Sequence, residues 1–349
     1  MKILLVVNGN TGLQYHRQIS PHVVLDNVYG DAVNITTTSN FDTYSNDKLK
    51  DVQIVHFMRT ISDTGRTEEV VNRCHEYGAK VCFDIDDYWQ LPSDHGLYKL
   101  SKERNIERST KEAIQYADLV TTTTDYFQTI IGRGEVLPNC IDTTEDQWQV
   151  KDVDSNGFTR FGWIGGVWHK QDLSLIEDSV NYVYQDRTAN NYKFMVGGYN
   201  DNPEYREVAR ILSGNGKGIH NNIFYAVRGV DSYNYGKIYN WLDISLIPLR
   251  DNRFNNCKSP LKLIEAGAMK KAAIVSNVKP YDIFPDDVVI KIDKADNRKG
   301  WYKAIKKLNE SKQMQTDYAN KLSEYCNVNF NAEEFAKKRY ELYSNLIKG

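Results

Sequence analysis

Short apolar runs alternate with amphipathic helical stretches twice along this chain, on either side of one acid-rich segment. A pattern of this kind folds as parallel sheets covered by helices on both faces. In the first half the strand-like runs are Lys2 to Val7, Ala32 to Thr37, Val52 to Phe57, Lys80 to Ile85, Leu119 to Thr123 and Glu135 to Pro138. Helical periodicity falls at Gln14 to Asn27, Thr67 to Tyr77 and Thr110 to Ala117. The segment Asp142 to Gly157 is polar and has no apolar periodicity, so the domain linker is placed there. A second series follows: strands at Phe158 to Ile164, Tyr192 to Val196, Asn221 to Ala226, Asp243 to Pro248 and Ala273 to Ser276, with helices at Gln171 to Tyr184 and from Ser259. The expected fold class is α/β with two Rossmann-like, doubly wound domains, residues 1–150 and 151–330, which agrees with a length of 349 residues. Near the end Asn331 is placed as an N-cap, Glu334 closes a capping box and Phe330 staples onto Phe335. Phe335, Ala336, Tyr340, Tyr343, Leu346 and Ile347 make an apolar stripe, so this last helix has to pack against something.

Composition removes several function classes. A net charge of −2 and a pI near 6.4 give no global attraction for polyanions. Five cysteines, odd in number and without C-x-x-C spacing, indicate neither a disulfide framework nor a zinc knuckle, and they suit a reducing cytoplasm. Met1 to Val7 is too short for a signal sequence or a transmembrane segment. No G-x-G-x-x-G follows the first strand and no G-x-x-x-x-G-K-[ST] occurs, so neither a nicotinamide cofactor nor a P-loop nucleotide is indicated.

The chemistry concentrates in Asn256 to Ala268. Ser259 is read as an N-cap and Pro260 as the first helical residue, followed by Leu261; a helix begun there presents unpaired amides to a phosphate. Lys258 and Lys262 add charge, and Glu265, about one turn on, suits two neighbouring sugar hydroxyls. An ordinary capped helix with solvated lysines fits the same spacing. Glycines follow strands at Gly9 to Gly12, Gly165-Gly166, Gly197-Gly198 and Gly229, where they either admit a ligand to the backbone or simply close turns. Lys170, near the start of the helix after Gly165-Gly166, is a second diphosphate candidate or a surface lysine. Asp84, Asp86 and Asp87 crowd one strand end, which raises at least one pKa; alternation sets Asp84 and Asp86 on one face and Asp87 on the other. His16 and His56 suit structural roles.

With these elements in order, the chain resembles retaining nucleotide-sugar glycosyltransferases of the GT-B fold over nearly its whole length. The resemblance rests on Gly9 to Gly12, Asp51 to His56, Leu137-Pro138-Asn139-Cys140-Ile141-Asp142, Gly165 to Asp172, Lys258 to Glu265, Ala273 to Ser276 and the terminal helix with Tyr340 to Tyr343. It implies two domains facing across a cleft, the second holding the nucleotide sugar and the first the acceptor, with helix 331–349 crossing back to the first. Glu265 would then take the ribose hydroxyls, with Lys170, Lys258, Ser259, Pro260, Leu261 and Lys262 around the diphosphate and Gly165-Gly166 beside it. Gly9 to Gly12 would close over the donor. Asp86 or Asp87 would orient or deprotonate the acceptor hydroxyl, and Tyr15, His16, Tyr88 and Trp89 would line the acceptor. A UDP-sugar is the favoured donor, no metal or other cofactor is required, and the acceptor is a glycan or glycolipid. Two departures stand out. Cys257 occupies the position of a second family glutamate, and Asp86 stands where many relatives carry a histidine.

Three rivals remain at this level. Asp84-Ile85-Asp86 has the spacing of a metal-binding Asp-x-Asp in a GT-A transferase. Tyr88 and Trp89, with Lys99, Lys102, Arg104 and Arg108, suit transfer to a hydroxylated base in DNA, although Glu103 and Glu107 dilute that charge. Cys257 also suits a non-catalytic sugar-nucleotide binder.

Overall fold

The computed structural model describes residues 1–9, 11–62 and 64–349. They form two compact units. Unit 1 comprises Met1–Asp142, Asn256–Ser259 and Phe330–Gly349; unit 2 comprises Thr143–Asn255 and Pro260–Asn329.

In unit 1 the strands are β1 (Lys2–Val6), β2 (Asn34–Thr38), β3 (Ile54–Met58), β4 (Lys80–Asp84), β5 (Leu119–Thr122) and β6 (Glu135–Val136), in the order β2-β1-β3-β4-β5-β6 and all parallel. All five residues of β3 are buried, as a strand covered on both faces requires. The helix after β1 starts at Gly12, capped by Thr11 Oγ1, which accepts from Gln14 N at 3.4 Å. Gly12 is therefore already helical; Asn10, inside the expected Gly9 to Gly12 turn, lies outside the described residues. A wide π turn at Tyr15–Ile19 buries Tyr15, His16, Arg17 and Gln18 before the α-helix Ser20–Tyr29 continues. Such turns recur at functional sites.

The last helix, Ala332–Lys348, packs on Ser20–Tyr29 within unit 1: Tyr29 and Tyr340 stack at 3.9 Å, and His22 Nε2 lies 3.0 Å from the Tyr343 hydroxyl. Asn331 caps this helix as expected, its Oδ1 accepting from Glu334 N at 3.1 Å. The Glu334 carboxylate turns to Lys337 at 2.7 Å, so the reciprocal half of the expected capping box does not form. Ala336 and Tyr343 are buried as the stripe requires, and Arg339 is buried beside them.

In unit 2 the strands are β7 (Thr159–Ile164), β8 (Tyr192–Tyr199), β9 (Phe224–Arg228), β10 (Ile244–Ile247), β11 (Ala272–Ser276) and β12 (Ile290–Ile292), again all parallel, in the order β12-β11-β10-β7-β8-β9. The order reverses between β7 and β10, which is where open α/β sheets take ligands. Residues Gln171 to Tyr184 are not one helix: Lys170–Leu173 and Glu177–Gln185 are α-helical with a tighter turn at Ser174–Ile176 between them. The acid-rich segment after Asp142 is anchored to unit 2. Trp148 is buried, and a Cβ on Gly236 would come within 2.7 Å of its ring.

The helix that carries Glu265 runs Leu261–Ala268, with Pro260 rather than Ser259 at its cap; Leu263 N and Ile264 N donate to Pro260 O at 2.9 and 3.2 Å. The Ser259 hydroxyl lies instead on unit 1, accepting from Asn139 Nδ2 at 2.7 Å. Gly267 lets this helix approach Lys312–Asn329, since a Cβ there would lie 2.5 Å from Cys326 Sγ and 3.1 Å from Leu322 O. Gly267→Ala should overpack this contact and cost about 1–3 kcal/mol, read as a lower denaturation midpoint in urea.

Candidate functional site

Unit 2 builds one cluster at its strand reversal. Gly165 follows β7 with no room for a side chain: a Cβ would lie 2.9 Å from the Trp163 ring and 3.0 Å from Lys262 Nζ. Gly198, at φ +87°, would put a Cβ 3.2 Å from Gly165 O, and one on Gly229 would lie 3.0 Å from Gly198 O. The ends of β7, β8 and β9 therefore lie backbone against backbone, an arrangement only glycine permits at Gly198. Tyr205 donates its hydroxyl to Gly165 O at 2.9 Å. Among the described residues, and apart from its chain neighbours, nothing lies within 4 Å of the Cβ position of Gly166.

The helix Leu261–Ala268 brings Lys262 and Glu265 to the same cluster. Lys262 Nζ donates to Ile164 O at 2.5 Å. Glu265 is 3% exposed and accepts from the Tyr239 hydroxyl at 2.7 Å. Burial pushes its pKa up to about 7, against the opposing pull of Lys262 and the Tyr239 hydrogen bond. A carboxyl poised there changes charge readily, and a hydroxyl that donates to it favours the ionised form. Lys170 pairs with Glu204 and is 33% exposed in its side chain. Close by, Asp172 Oδ1 accepts from Arg250 N at 3.0 Å and Asn255 Nδ2 at 2.8 Å, fixing the loop that leaves β10.

Unit 1 builds a second cluster at the carboxyl ends of β3, β4 and β5. Arg17, aimed inward by the π turn, binds both oxygens of Asp84 at 2.9 and 2.6 Å and also donates to Leu137 O and Asn139 Oδ1 at 2.7 and 3.1 Å. Burial opposes the charge on Arg17, but Asp84 outweighs it and the guanidinium pKa is raised. Thr121 Oγ1 donates to Asp84 Oδ1 at 2.6 Å. Arg59, whose backbone sits in the left-handed region at φ 59°, grips Asp86 at 2.6 Å and also Asp87. Asp86 and Asp87 thus share one guanidinium instead of lying on opposite faces; β4 ends at Asp84, and strand alternation ends with it. Burial raises the Asp86 pKa, countered by Arg59 and reinforced by Asp87.

The structure brings Gly165, Lys170, Lys262 and Glu265 into unit 2 and Tyr15, His16, Asp86, Tyr88, Lys258 and Ser259 into unit 1. Cys257 is fully buried. Trp89 packs on Tyr88 and Phe127 with ring centroids 4.8 and 6.2 Å apart. Gly9 lies under Gln14, whose Oε1 would be 3.3 Å from its Cβ. His56 is buried beside Gln18, and burial holds its pKa well below the usual imidazole value, as a structural role requires. Sequence reasoning misses Arg17, Arg59 and Tyr239. Arg59 carries a signal, a cation directly after an apolar strand; Tyr239, 26 residues from Glu265, carries none. The basic stretch near Lys102 and Arg108 is largely compensated: Glu107 accepts from Lys111 at 2.7 Å, and Arg108 pairs with Glu112 at 2.7 Å.

No protein-family model matches this sequence, and no curated protein matches it. Its architecture is nonetheless that of solved glycosyltransferases. Sucrose-phosphate synthase from Thermosynechococcus elongatus shares 15% identity over 99% of each chain at a TM-score of 0.68. Anabaena HepE, in complex with UDP and glucose, shares 10% identity over 99% of this chain and 100% of its own, at 0.69. A glycosyltransferase from Rickettsia africae shares 11% identity over 100% and 99%, at 0.66. The chain therefore has the GT-B fold. Two separate six-stranded parallel sheets overturn the GT-A reading, and the Asp-x-Asp that motivated it is divided between two arginines.

Removing one partner of a buried, hydrogen-bonded ion pair strands the other. Arg17→Met should therefore cost unit 1 about 3–5 kcal/mol, measured as the loss in unfolding free energy by denaturant titration.

Proposed function

We propose that this protein is a retaining glycosyltransferase that moves a sugar from a UDP-sugar to an acceptor hydroxyl in the cytoplasm. The observation that carries the reading is the unit 2 cluster: a side-chain-free glycine shelf, Lys262 and a buried Glu265 of raised pKa, all at the strand reversal. HepE, of the same fold, is solved with UDP and glucose.

In this reading Glu265 accepts hydrogen bonds from the two ribose hydroxyls. The backbone at Gly165 and Gly166 admits the diphosphate, and Lys170, Lys258 and Lys262 neutralise the charge that grows on it, which is the main electrostatic demand of the step. Ser259, Pro260 and Leu261 shape that end of the helix. The bond from the anomeric carbon to the phosphate oxygen breaks with its electron pair leaving on UDP. A bond to the acceptor oxygen forms on the same face, and the acceptor proton passes to Asp86 or Asp87. Asp86 suits this task because burial raises its pKa while Arg59 keeps it oriented. No metal or further cofactor is needed, since lysines and backbone amides supply the positive charge. Acceptors are held in unit 1, beside Tyr15, His16, Tyr88 and Trp89.

The complete burial of Cys257 favours one second reading, a binder without turnover, because that side chain meets no transferred sugar. Incubation with a panel of UDP-sugars, followed by UDP release and calorimetric binding, separates the two. Catalysis predicts release that falls about 100-fold in Lys170→Ala, the loss of one transition-state contact; binding without release supports the binder, and no binding at all rejects both.

The Glu265 pKa gives a further expectation. Ribose hydroxyls favour the ionised carboxylate, so UDP affinity should weaken roughly tenfold per unit as pH falls below about 7. Calorimetry of wild type against Glu265→Gln isolates this dependence from the titration of UDP itself, and the variant should lose it.

A further inference from the structure

One buried carboxylate spans the reversal of strand order in unit 2. Asp172 lies in the short helix Lys170–Leu173, which follows β7. Its Oδ1 accepts from Arg250 N at 3.0 Å and from Asn255 Nδ2 at 2.8 Å, both in the segment that leaves β10. That segment is folded around the same amide, because Asn255 Nδ2 also donates to Arg250 O at 2.9 Å and Asn255 N donates to Asn252 Oδ1 at 2.9 Å. β7 and β10 are paired neighbours, and the loops that follow them form the two walls of the crevice at the reversal. Asp172 therefore ties one wall to the other.

Its other oxygen fixes a ring. Asp172 Oδ2 lies 3.1 Å from His169 Nδ1, and the His169 side chain is 27% exposed. An ionised carboxylate only accepts, so Nδ1 carries the hydrogen and an anionic ligand would meet the ring at Nε2. Backbone, amide and imidazole hydrogens directed at one carboxyl favour its ionised form, and that negative charge in turn favours the imidazolium. His169 also stands at the glycine shelf, its backbone N donating to Gly166 O at 3.2 Å. A pair three residues apart in one turn has no need of a second loop, yet here the carboxylate that orients the ring is held by the opposite wall.

Other ionisable groups border the dyad. Arg250 Nε lies 3.6 Å from Asp172 Oδ1, and Lys170, next to His169 in sequence, is paired with Glu204. The Tyr281 hydroxyl is kept protonated, its pKa raised by burial first and by Asp172 second.

We propose that His169 is a diphosphate ligand of the donor site, and that Asp172 is the positioning residue that holds the ring there in its charged form. The inference rests on the nucleotide-sugar reading and adds a titratable cation to it. Calorimetry of UDP binding to the full chain across pH tests it. Above about pH 7 the wild type should bind UDP progressively more weakly, by about tenfold once the ring is neutral, the worth of one charge-assisted hydrogen bond. His169→Gln should lose this alkaline decline and bind at about pH 7 as weakly as the wild type does at about pH 9, while the acid decline assigned to Glu265 remains. Comparison of the two curves removes the titration of UDP itself. Asp172→Asn keeps an acceptor for Arg250 N and Asn255 but turns an N–H toward Nδ1, so the alkaline decline should begin at lower pH. The double variant His169→Gln/Asp172→Asn should match His169→Gln within about twofold, because Asp172 acts through the ring. The wild-type and His169→Gln curves decide the proposal even where Asp172→Asn lowers stability. An alkaline decline that persists in His169→Gln, or a double variant weaker than His169→Gln by more than about twofold, overturns this inference and leaves the donor reading standing. Failure to bind UDP at any pH overturns both.

Discussion

The buried pairing of Arg17 with Asp84 is the constraint on which unit 1 depends. Both side chains are essentially inaccessible to solvent, so each charge is tolerable only because the other is there. The pair also sets geometry. Through Leu137 O and Asn139 it fixes the loop beyond β6, and through Asn139 it holds Ser259, the last residue of the short Asn256–Ser259 stretch that belongs to unit 1. One guanidinium thus ties the first helix, the end of β4 and that returning stretch together. The wide turn at Tyr15–Ile19 makes this possible, by carrying Arg17 into the interior.

Unit 2 meets a different demand by a different device. Its site consists largely of backbone, with glycines stacked at the ends of three neighbouring strands, and ionisable groups enter from one helix. Such a surface offers main-chain groups rather than side chains. Glu265 supplies the responsive element, because burial holds it near its titration point while Tyr239 fixes its orientation. On the proposed reading, this backbone shelf and one sensitive carboxyl hold a diphosphate with an attached diol.

Most of the architecture is legible in the sequence because parallel strands buried on both faces are short, largely apolar runs, as β3 and β11 are. The glycines after β7 and β8 and the lysine and glutamate of the Leu261–Ala268 helix are likewise visible as local motifs. What escapes is non-local. Ser259 has the residue type of a cap, but Asn139, 120 positions away, claims its hydroxyl. Alternation misplaces Asp87 because the strand stops at Asp84, and Arg59 gathers both later acids from another strand end. Trp148 is hidden in a segment whose acidic composition reads as a tether.

The placement of Ala332–Lys348 against Ser20–Tyr29 has a consequence for biosynthesis. When the first 142 residues have left the ribosome, the hydrophobic face of Ser20–Tyr29 still lacks the helix that covers it. Unit 2, whose last residue is Asn329, is complete first, so the N-terminal sheet waits with an uncovered flank during most of translation. Chaperone dependence during synthesis should therefore concentrate on the half of the molecule that emerges first.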